Sequence, residues 1–195
     1  NYNGALALNY HVTDGQGGIV AATQSIQFVA VNDSPTGTAS ASLVVGLEDN
    51  SYIVGASSLL QGFSDAEGDT LAISGLVAAH ALVVNNQDGT YTITPTANYN
   101  GTLALNYHVI DGQGGSLAAT QNVQLTAVND APTGAPTGSL VAAIENRAYT
   151  FTASQLLLGF SDVDNDNLSV ANVVADLGAL KDNLDGTFTL TPPND

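Results

Sequence analysis

Carboxylate side chains are the groups in this chain that could do chemistry, and they are clustered. Twelve of the 18 acidic residues fall in four places per repeat, namely a linker, the start of a strand, an acidic loop and a hairpin, whereas a merely solvated acidic surface would scatter its charge. The densest group is a loop with acids at alternate positions, Asp65, Glu67 and Asp69. Three carboxylates at this spacing repel one another unless a cation lies between them. The loop therefore predicts a cation site, with a solvated polar turn as the alternative.

The acidic loop belongs to a repeat with a fixed offset of 97 residues, since Asp162, Asp164 and Asp166 follow it at that distance. Residues 1–33 and 98–130 are identical at 25 of 33 positions without a gap. A period of that length is the size of a domain, because repeats that build solenoids and propellers run to about 20–50 residues. The sequence therefore predicts tandem domains, each large enough to bury its own core.

The overall charge and composition exclude several classes of partner. Against 18 acidic residues the chain has two basic ones, Arg147 and Lys181, so its formal net charge is −16. Nucleic acids and anionic membrane surfaces both attract basic segments, which this chain lacks. The chain has no cysteine, which leaves neither disulfides nor thiolate metal sites. No apolar run reaches the ~18 residues of a membrane span, so we expect neither a nucleic-acid partner nor membrane insertion.

Alternation of apolar and polar residues predicts the strands. In residues 102–109 every second residue is apolar, from Leu103 to Val109, as is typical of half-buried antiparallel strands. Turn signals such as Asp88-Gly89 separate the apolar runs. Strands are predicted near residues 41–46, 50–55, 70–78, 81–86, 90–95, 102–110 and 116–128, with one helical turn over residues 56–62. Short strands at this density predict an all-β fold of tandem antiparallel β-sandwiches of immunoglobulin-like type.

A proline marks the end of each repeat. The last strand runs into residues 31–35 (VNDSP) and again into residues 128–132 (VNDAP). Proline lacks the N–H that a strand ladder needs, so it ends the pairing and stiffens the exit. The predicted domains are therefore the C-terminal part of one repeat (1–33), a complete repeat (34–130) and the first two-thirds of another (131–195).

The predicted topology brings acids of neighbouring repeats together. The acidic loop and the hairpin at Asp111 lie at one end of a sandwich, and Glu48 lies at the other end with the exit Asn129-Asp130. If repeats stack head to tail, each linker faces the acidic loop of the next repeat. Six to eight oxygen ligands suit Ca²⁺, whereas zinc prefers His or Cys. The predicted ligands are Asn32, Asp33, Glu48, Asp65, Glu67, Asp69, Asp111, Asn129, Asp130, Glu145, Asp162, Asp164 and Asp166.

Simpler interpretations stay open for some of these positions. An Asp before glycine, such as Asp111, is a favoured turn residue in its own right. A single Glu at the start of a strand, such as Glu48, is often merely exposed. Asp88 is assigned to a turn, and residues 98–100 (NYN) are expected to close a loop rather than to bind a ligand.

The order of the short motifs resembles a known family. Glu-Asp-Asn-x-Tyr at residues 48–52, Asp-x-Glu-x-Asp at 65–69, Asn-Tyr-Asn-Gly at 98–101, Asp-Gly-x-Gly-Gly at 111–115 and Val-Asn-Asp-x-Pro at 128–132 follow one another along the chain. This order is similar to that of bacterial cadherin-like repeats, the tandem domains of giant surface adhesins exported by type I secretion. The resemblance implies cadherin-like sandwiches with calcium at the domain junctions, in an extended and stiffened rod at the cell surface.

The function expected from these features is mechanical. The chain would be a calcium-rigidified extender or spacer of a long bacterial adhesin, extracellular and serving cell adhesion and biofilm formation, with neighbouring repeats as its partners. No set of residues predicts catalysis, so no enzyme is expected. Two alternatives stay open. One is a recognition module for carbohydrate or protein on another cell, and the other is a filament subunit whose end pieces, of 33 and 65 residues, complement other copies head to tail.

Overall fold

The computed structural model describes residues 2–193 of the chain. These residues form two compact units, 2–128 and 129–193. Many elements of the first unit return in the second at an offset of 97 residues.

The first unit is built almost entirely of β-strands. Its elements are β1 (Gly4–Thr13), β2 (Ile19–Phe28), β3 (Thr36–Gly37), β4 (Gly46–Leu47), β5 (Tyr52–Gly55), α1 (Ala56–Leu59), β6 (Phe63–Ser64), β7 (Ala72–Ala78), β8 (Ala81–Asn85), β9 (Thr90–Pro95), β10 (Gly101–Ile110) and β11 (Ser116–Thr126). One sheet has the order β4-β11-β10-β7 and a second has the order β5-β9-β8. Strands β1 and β2 pair with each other, as do β3 and β6.

The core of the first unit lies between these two sheets. The alternation predicted for residues 102–109 holds, because Leu103, Leu105, Tyr107 and Val109 are all buried while the residues between them are more exposed. The facing sheet contributes side chains such as Ile93 to the same apolar cluster. Burial of one face of each sheet against the other is the arrangement of a β-sandwich, and it confirms the predicted fold class.

The strand predicted near residues 41–46 is wrong. The first strand of the sandwich is split, since β3 pairs with β6 and only β4 pairs with β11, in parallel. The residues between β3 and β4 belong to neither sheet. The Ala41 carbonyl, for example, accepts a hydrogen bond of 3.0 Å from the Gln121 side chain instead of pairing with a neighbouring strand. The helical turn predicted over residues 56–62 is present as α1.

The second unit contains β12 (Thr133–Gly134), β13 (Tyr149–Thr152), α2 (Ala153–Leu156), β14 (Phe160–Ser161), β15 (Ala179–Asp182) and β16 (Thr187–Thr191). Strands β13, β16 and β15 form a sheet, which matches the β5-β9-β8 sheet of the first unit, and β12 pairs with β14. Helix α2 begins with a capping box in which Thr152 and Gln155 bond each other's backbone N–H groups, an arrangement that stabilises a helix start.

Candidate metal site in the acidic loops

The acidic loop of the first unit, residues 65–69, connects β6 to β7. Its shape is set by Asp65, whose Oδ1 accepts hydrogen bonds from the backbone N–H groups of Glu67 (2.9 Å) and Asp69 (3.2 Å). The other oxygen, Oδ2, is buried and has no hydrogen-bond partner. A buried anionic oxygen without a partner is costly, and it marks a place where a donor or a cation is missing.

The linker that precedes the complete repeat is bound to this end of the sandwich. The backbone N–H of Asp33 donates to the Glu67 carboxylate over 2.9 Å. The Asn32 side chain donates through Nδ2 to Asp111 Oδ2 over 2.8 Å. Two consecutive linker residues are thus held by carboxylates from two different loops.

Asp111 is the most enclosed carboxylate of this group, with 4% of its surface exposed. The Asn32 amide is the main reason that the pKa of Asp111 is lowered, and the backbone N–H groups of Gln113 and Gly115 lower it further, while burial acts in the opposite direction. Residue 115 must be a glycine here, because a Cβ would collide with the Asp111 carboxylate and the Ser34 backbone.

Glu48 is fully buried, and its hydrogen-bond partners are different residues. Its Oε1 accepts a hydrogen bond from the Val128 backbone N–H (2.8 Å), and its Oε2 accepts one from the Asn100 side chain (3.1 Å). Its own N–H donates to the Thr126 carbonyl over 3.0 Å. Glu48 therefore ties the end of β11 to the loop before β10.

The second unit repeats the loop geometry at residues 162–166. Asp162 Oδ1 accepts from the backbone N–H groups of Asp164 (2.9 Å) and Asp166 (3.4 Å). The linker is bound in the same way, since the Asp130 N–H donates to Asp164 Oδ2 over 2.7 Å. The Asn129 side chain donates to the carbonyl of its neighbour Asp130 over 3.0 Å.

The structure brings the predicted ligands together in part. Linker residues meet the acidic loop in each unit, whereas the Glu48 carboxylate is bonded to Asn100 and Val128 and Glu145 is exposed. Among residues 2–193, no three His, Cys, Asp or Glu side chains are close enough to form a metal site as they stand. Calcium also binds amide oxygens, backbone carbonyls and water, and the all-oxygen chemistry together with the partnerless Asp65 oxygen fits such an ion.

Sequence reasoning missed the role of Asn100. It assigned residues 98–100 to loop closure alone, although Asn100 is one of the two partners of the buried Glu48. The recurrence of the Asn-Tyr-Asn-Gly motif at residues 1–4 and 98–101 was the available signal. It could not identify the partner, because 52 residues separate Asn100 from Glu48.

In the part of the chain that the structure describes, no helix is both long and apolar enough to cross a membrane.

Comparisons with known proteins give one family and distant matches among solved structures. The endo-fucoidan hydrolase MfFcnA4 from glycoside hydrolase family 107 matches 98% of this chain at 17% identity, with a TM-score of 0.39. The endo-fucoidan hydrolase MfFcnA9 matches 84% at 17% identity, with a TM-score of 0.32. The chain spans 30% of the length of each of them, and scores this low support no conclusion about activity. A search among curated proteins finds no match.

The family comparison covers nearly the whole chain. The family model described as a cadherin-like domain matches twice, over residues 31–126 and 128–195. The two matches are adjacent, as tandem repeats require, and they agree with the motif order noted in the sequence. The chain therefore belongs to the cadherin-like domain family.

Proposed function

We propose that this chain is a calcium-stiffened extender segment of a long bacterial cell-surface adhesin. Membership of the cadherin-like family indicates an adhesion-type extracellular module. The finer proposal rests on how the linker is bound to the acidic loop and the hairpin. Asn32 and Asp33 are bound to Asp111 and Glu67, and in the same acidic loop as Glu67 one oxygen of Asp65 is buried and lacks a partner.

The residues that would hold calcium in the first unit are those of the acidic loop, the hairpin and the linker. The carboxylates of Asp33, Asp65, Glu67, Asp69 and Asp111 would supply charge, and the Asn32 side chain would add a neutral oxygen. In the second unit the corresponding set is Asn129, Asp130, Asp162, Asp164 and Asp166. Glu48 and Glu145 stay predictions as ligands.

Calcium would act on the linker mainly through charge. The chain has two basic residues for 18 acidic ones, so protein cations cannot neutralise the loops. A divalent ion among the carboxylates removes their mutual repulsion and adds bonds between linker and loop. A linker held in this way has fewer conformations open to it, which is the property an extender needs. Weak sites suffice outside cells, where modules bind calcium with Kd values of about 10⁻⁴–10⁻³ M.

The proposal includes no catalysis. The carboxylates of the acidic loops accept hydrogen bonds from the backbone of the linkers and of their own loops. Glycosidases, by contrast, set two carboxyl groups on opposite sides of a bound sugar.

Thermal unfolding of the 195-residue chain with and without calcium tests the proposal. A site with the Kd range above contributes about 1.4–2.7 kcal/mol at 10 mM calcium, which should raise the Tm by several degrees. Magnesium at the same concentration should have a smaller effect, because it prefers to keep its waters. Chelator should reverse the calcium effect.

Two matched variants localise the effect. Asp65→Asn removes the charge of the partnerless oxygen and should abolish much of the calcium shift of the first unit. Asp88→Asn removes one charge from a turn in which the carboxylate already bonds Thr90, and it should leave the shift intact. Equal shifts in both variants, or a wild-type Tm that calcium leaves unchanged, would contradict the proposal.

A further inference from the structure

The outer face of the four-stranded sheet is free of charged side chains in a strongly acidic chain. None of the residues of β7, β10 and β11 is Asp, Glu, Lys or Arg, although the chain has 18 acidic residues. The acids of the complete repeat lie in its turns and loops instead. Strands β10 and β11 have a neighbour on each side and bury their inner face. The exposure of their outer face is therefore a property of the complete sandwich.

A groove of about 280 Å³ lies on this face, at a β-bulge. Asn106 pairs with Val77 and His108 with Ser74, so residues 75 and 76 of β7 lie opposite residue 107 alone. Gly75 has φ 65°, a conformation that favours glycine. β-Bulges are over-represented next to active sites, where they redirect side chains. The lining of the groove includes Gly75, Val77, Asn106, His108, Ala118 and Thr120.

The polar groups of the groove are held in place and can still bind a ligand. The Thr120 hydroxyl donates to Asn106 Oδ1 over 2.8 Å. The Thr120 oxygen can accept a further hydrogen bond, and Asn106 Nδ2 can donate, since no residue in the range 2–193 bonds that nitrogen. The His108 imidazole, which also bonds no other residue in this range, offers one donor and one acceptor when it is neutral. The groove thus presents donors and acceptors from two paired strands, which are rigid elements.

The remainder of the groove is apolar. Ala118 contributes a methyl group, and the Val77 side chain is 59% exposed. Sites for small molecules combine an apolar lining with a few placed polar groups, and those for drug-sized ligands measure about 300–1,000 Å³. This groove is slightly smaller, so it suits a unit of about one ring.

We propose that this groove binds a single residue of a neutral carbohydrate. Sugar hydroxyls donate and accept hydrogen bonds, as the groups of Asn106, His108 and Thr120 do, and the C–H face of a sugar ring would pack on Ala118 and Val77. An anionic ligand is repelled by the net charge of −16, and a cationic one is attracted to the acidic loops instead. The site would add recognition to the chain, and it depends neither on calcium nor on the extender role.

The first hairpin has the same groups on its outer face. The counterparts of Asn106, His108, Ala118 and Thr120 are Asn9, His11, Ala21 and Thr23. The bond between the strands recurs too, since the Thr23 hydroxyl donates to Asn9 Oδ1 over 2.8 Å. The two hairpins differ on this face at positions 102, 110, 116, 122 and 126, none of which lines the groove. Weak sites that recur along one chain gain strength through multivalent binding.

Two-dimensional ¹H–¹⁵N NMR of the 195-residue chain tests the proposal, in chelator so that calcium plays no part. The probes are the methyl glycosides of glucose, galactose, mannose and fucose, with methyl glucuronide and glucosamine as charged controls. We expect a neutral glycoside to shift the amide signals of Gly75, His108 and Thr120 with a Kd on the order of 1 mM, and the charged sugars to bind more weakly. No shift with any neutral glycoside, or equal binding of the charged sugars, would overturn the proposal.

Two matched threonine variants localise the binding. Thr120→Val removes the hydroxyl of the groove and should weaken binding about two- to tenfold. Thr102→Val removes a hydroxyl of the same face that donates to Gln124 over 3.0 Å, outside the groove, and should leave the Kd unchanged. Equal weakening in both variants would overturn the proposal.

A measurement on the wild-type chain does not depend on the folding of either variant. Nuclear Overhauser effects should connect the Ala118 methyl group to the ring protons of the bound glycoside, and their absence would contradict the site. Shifts of the same amides that follow the protein concentration without any sugar would show that another copy of the chain covers this face, and they would overturn the proposal as well.

Discussion

Two stretches of this chain have nearly the same pattern of residues and different structures. Residues 34–128 form two packed sheets, whereas residues 131–193 form one of those sheets and leave the strands of the other irregular. The long hairpin β10–β11 contributes about half of the buried apolar cluster of the complete repeat, and residues 131–193 contain no counterpart of it. In the complete repeat β7 and β4 pair with the two strands of this hairpin, and a strand with neither a neighbour to pair with nor a face to bury has little to hold it.

Features that depend only on nearby residues are the same in both stretches. The Asp65 and Asp162 side chains form the same backbone bonds in their loops. Asp88 and Asp185 each bond the threonine two positions later through both its N–H and its hydroxyl. Local geometry is thus the same in both stretches, while burial and strand pairing differ.

The largest expected difference in stability is between two variants, one that truncates a buried leucine of the hairpin β10–β11 and one that truncates its exposed counterpart in β1–β2. Leu105→Ala removes a fully buried side chain and should lower the free energy of unfolding by about 2–5 kcal/mol. Leu8→Ala removes a side chain that is 43% exposed and should cost under about 1 kcal/mol. Urea unfolding, at a concentration where the chain is monomeric, measures both. Similar losses in the two variants would show that the first hairpin is packed in the monomer and would remove the basis of the comparison.

A smaller effect is expected from neutralising the two equivalent glutamates. Glu48→Gln places an amide N–H₂ against either the Val128 N–H or the Asn100 side chain, which both donate to the buried carboxylate. A buried donor facing another donor should cost about 1–3 kcal/mol. Glu145→Gln changes an exposed side chain and should stay within about 0.5 kcal/mol.

The same unfolding experiment checks the glutamate pair, with calcium absent in both cases. A loss at Glu145 as large as that at Glu48 would mean that the second unit already encloses its glutamate. No loss at Glu48 would mean that its two hydrogen bonds contribute nothing net to stability.

The sequence predicted the sandwich because its signals are local and repeated. Alternation placed Leu103 and Leu105 on the buried face, and Asp-Gly marked the turns. The strand near residues 41–46 was predicted wrongly, since apolar content cannot show that a segment changes partner between β6 and β11. The first hairpin has the same alternation as the second, and the pattern shows only which face would be covered, because burial depends on what covers that face.

The candidate site was predictable to a similar extent. The acidic loops and linkers were recognised by their spacing, and the structure places Asp33 on Glu67 and Asp130 on Asp164. The partners of Glu48 were not recognised, because a bond to Asn100 reflects how two distant loops fold together rather than any local motif.

The smallest expected effect concerns the two hairpin aspartates, which differ in one partner. The pKa values of Asp14 and Asp111 are both below the ordinary 3.8, Asp14 mainly through the Gln16 backbone N–H and Asp111 mainly through the Asn32 amide. Asn32→Ala should therefore raise the pKa of Asp111 and leave that of Asp14 in place, as carboxyl NMR titration would show. A carboxyl group whose pKa is lower in the folded than in the unfolded protein stabilises the fold above its unfolded pKa, and this stabilisation is lost as the pH falls through its folded pKa. The variant should therefore lose stability chiefly above about pH 4 and little in stronger acid. If both aspartates moved together, the linker would influence the hairpins through something other than the Asn32 amide.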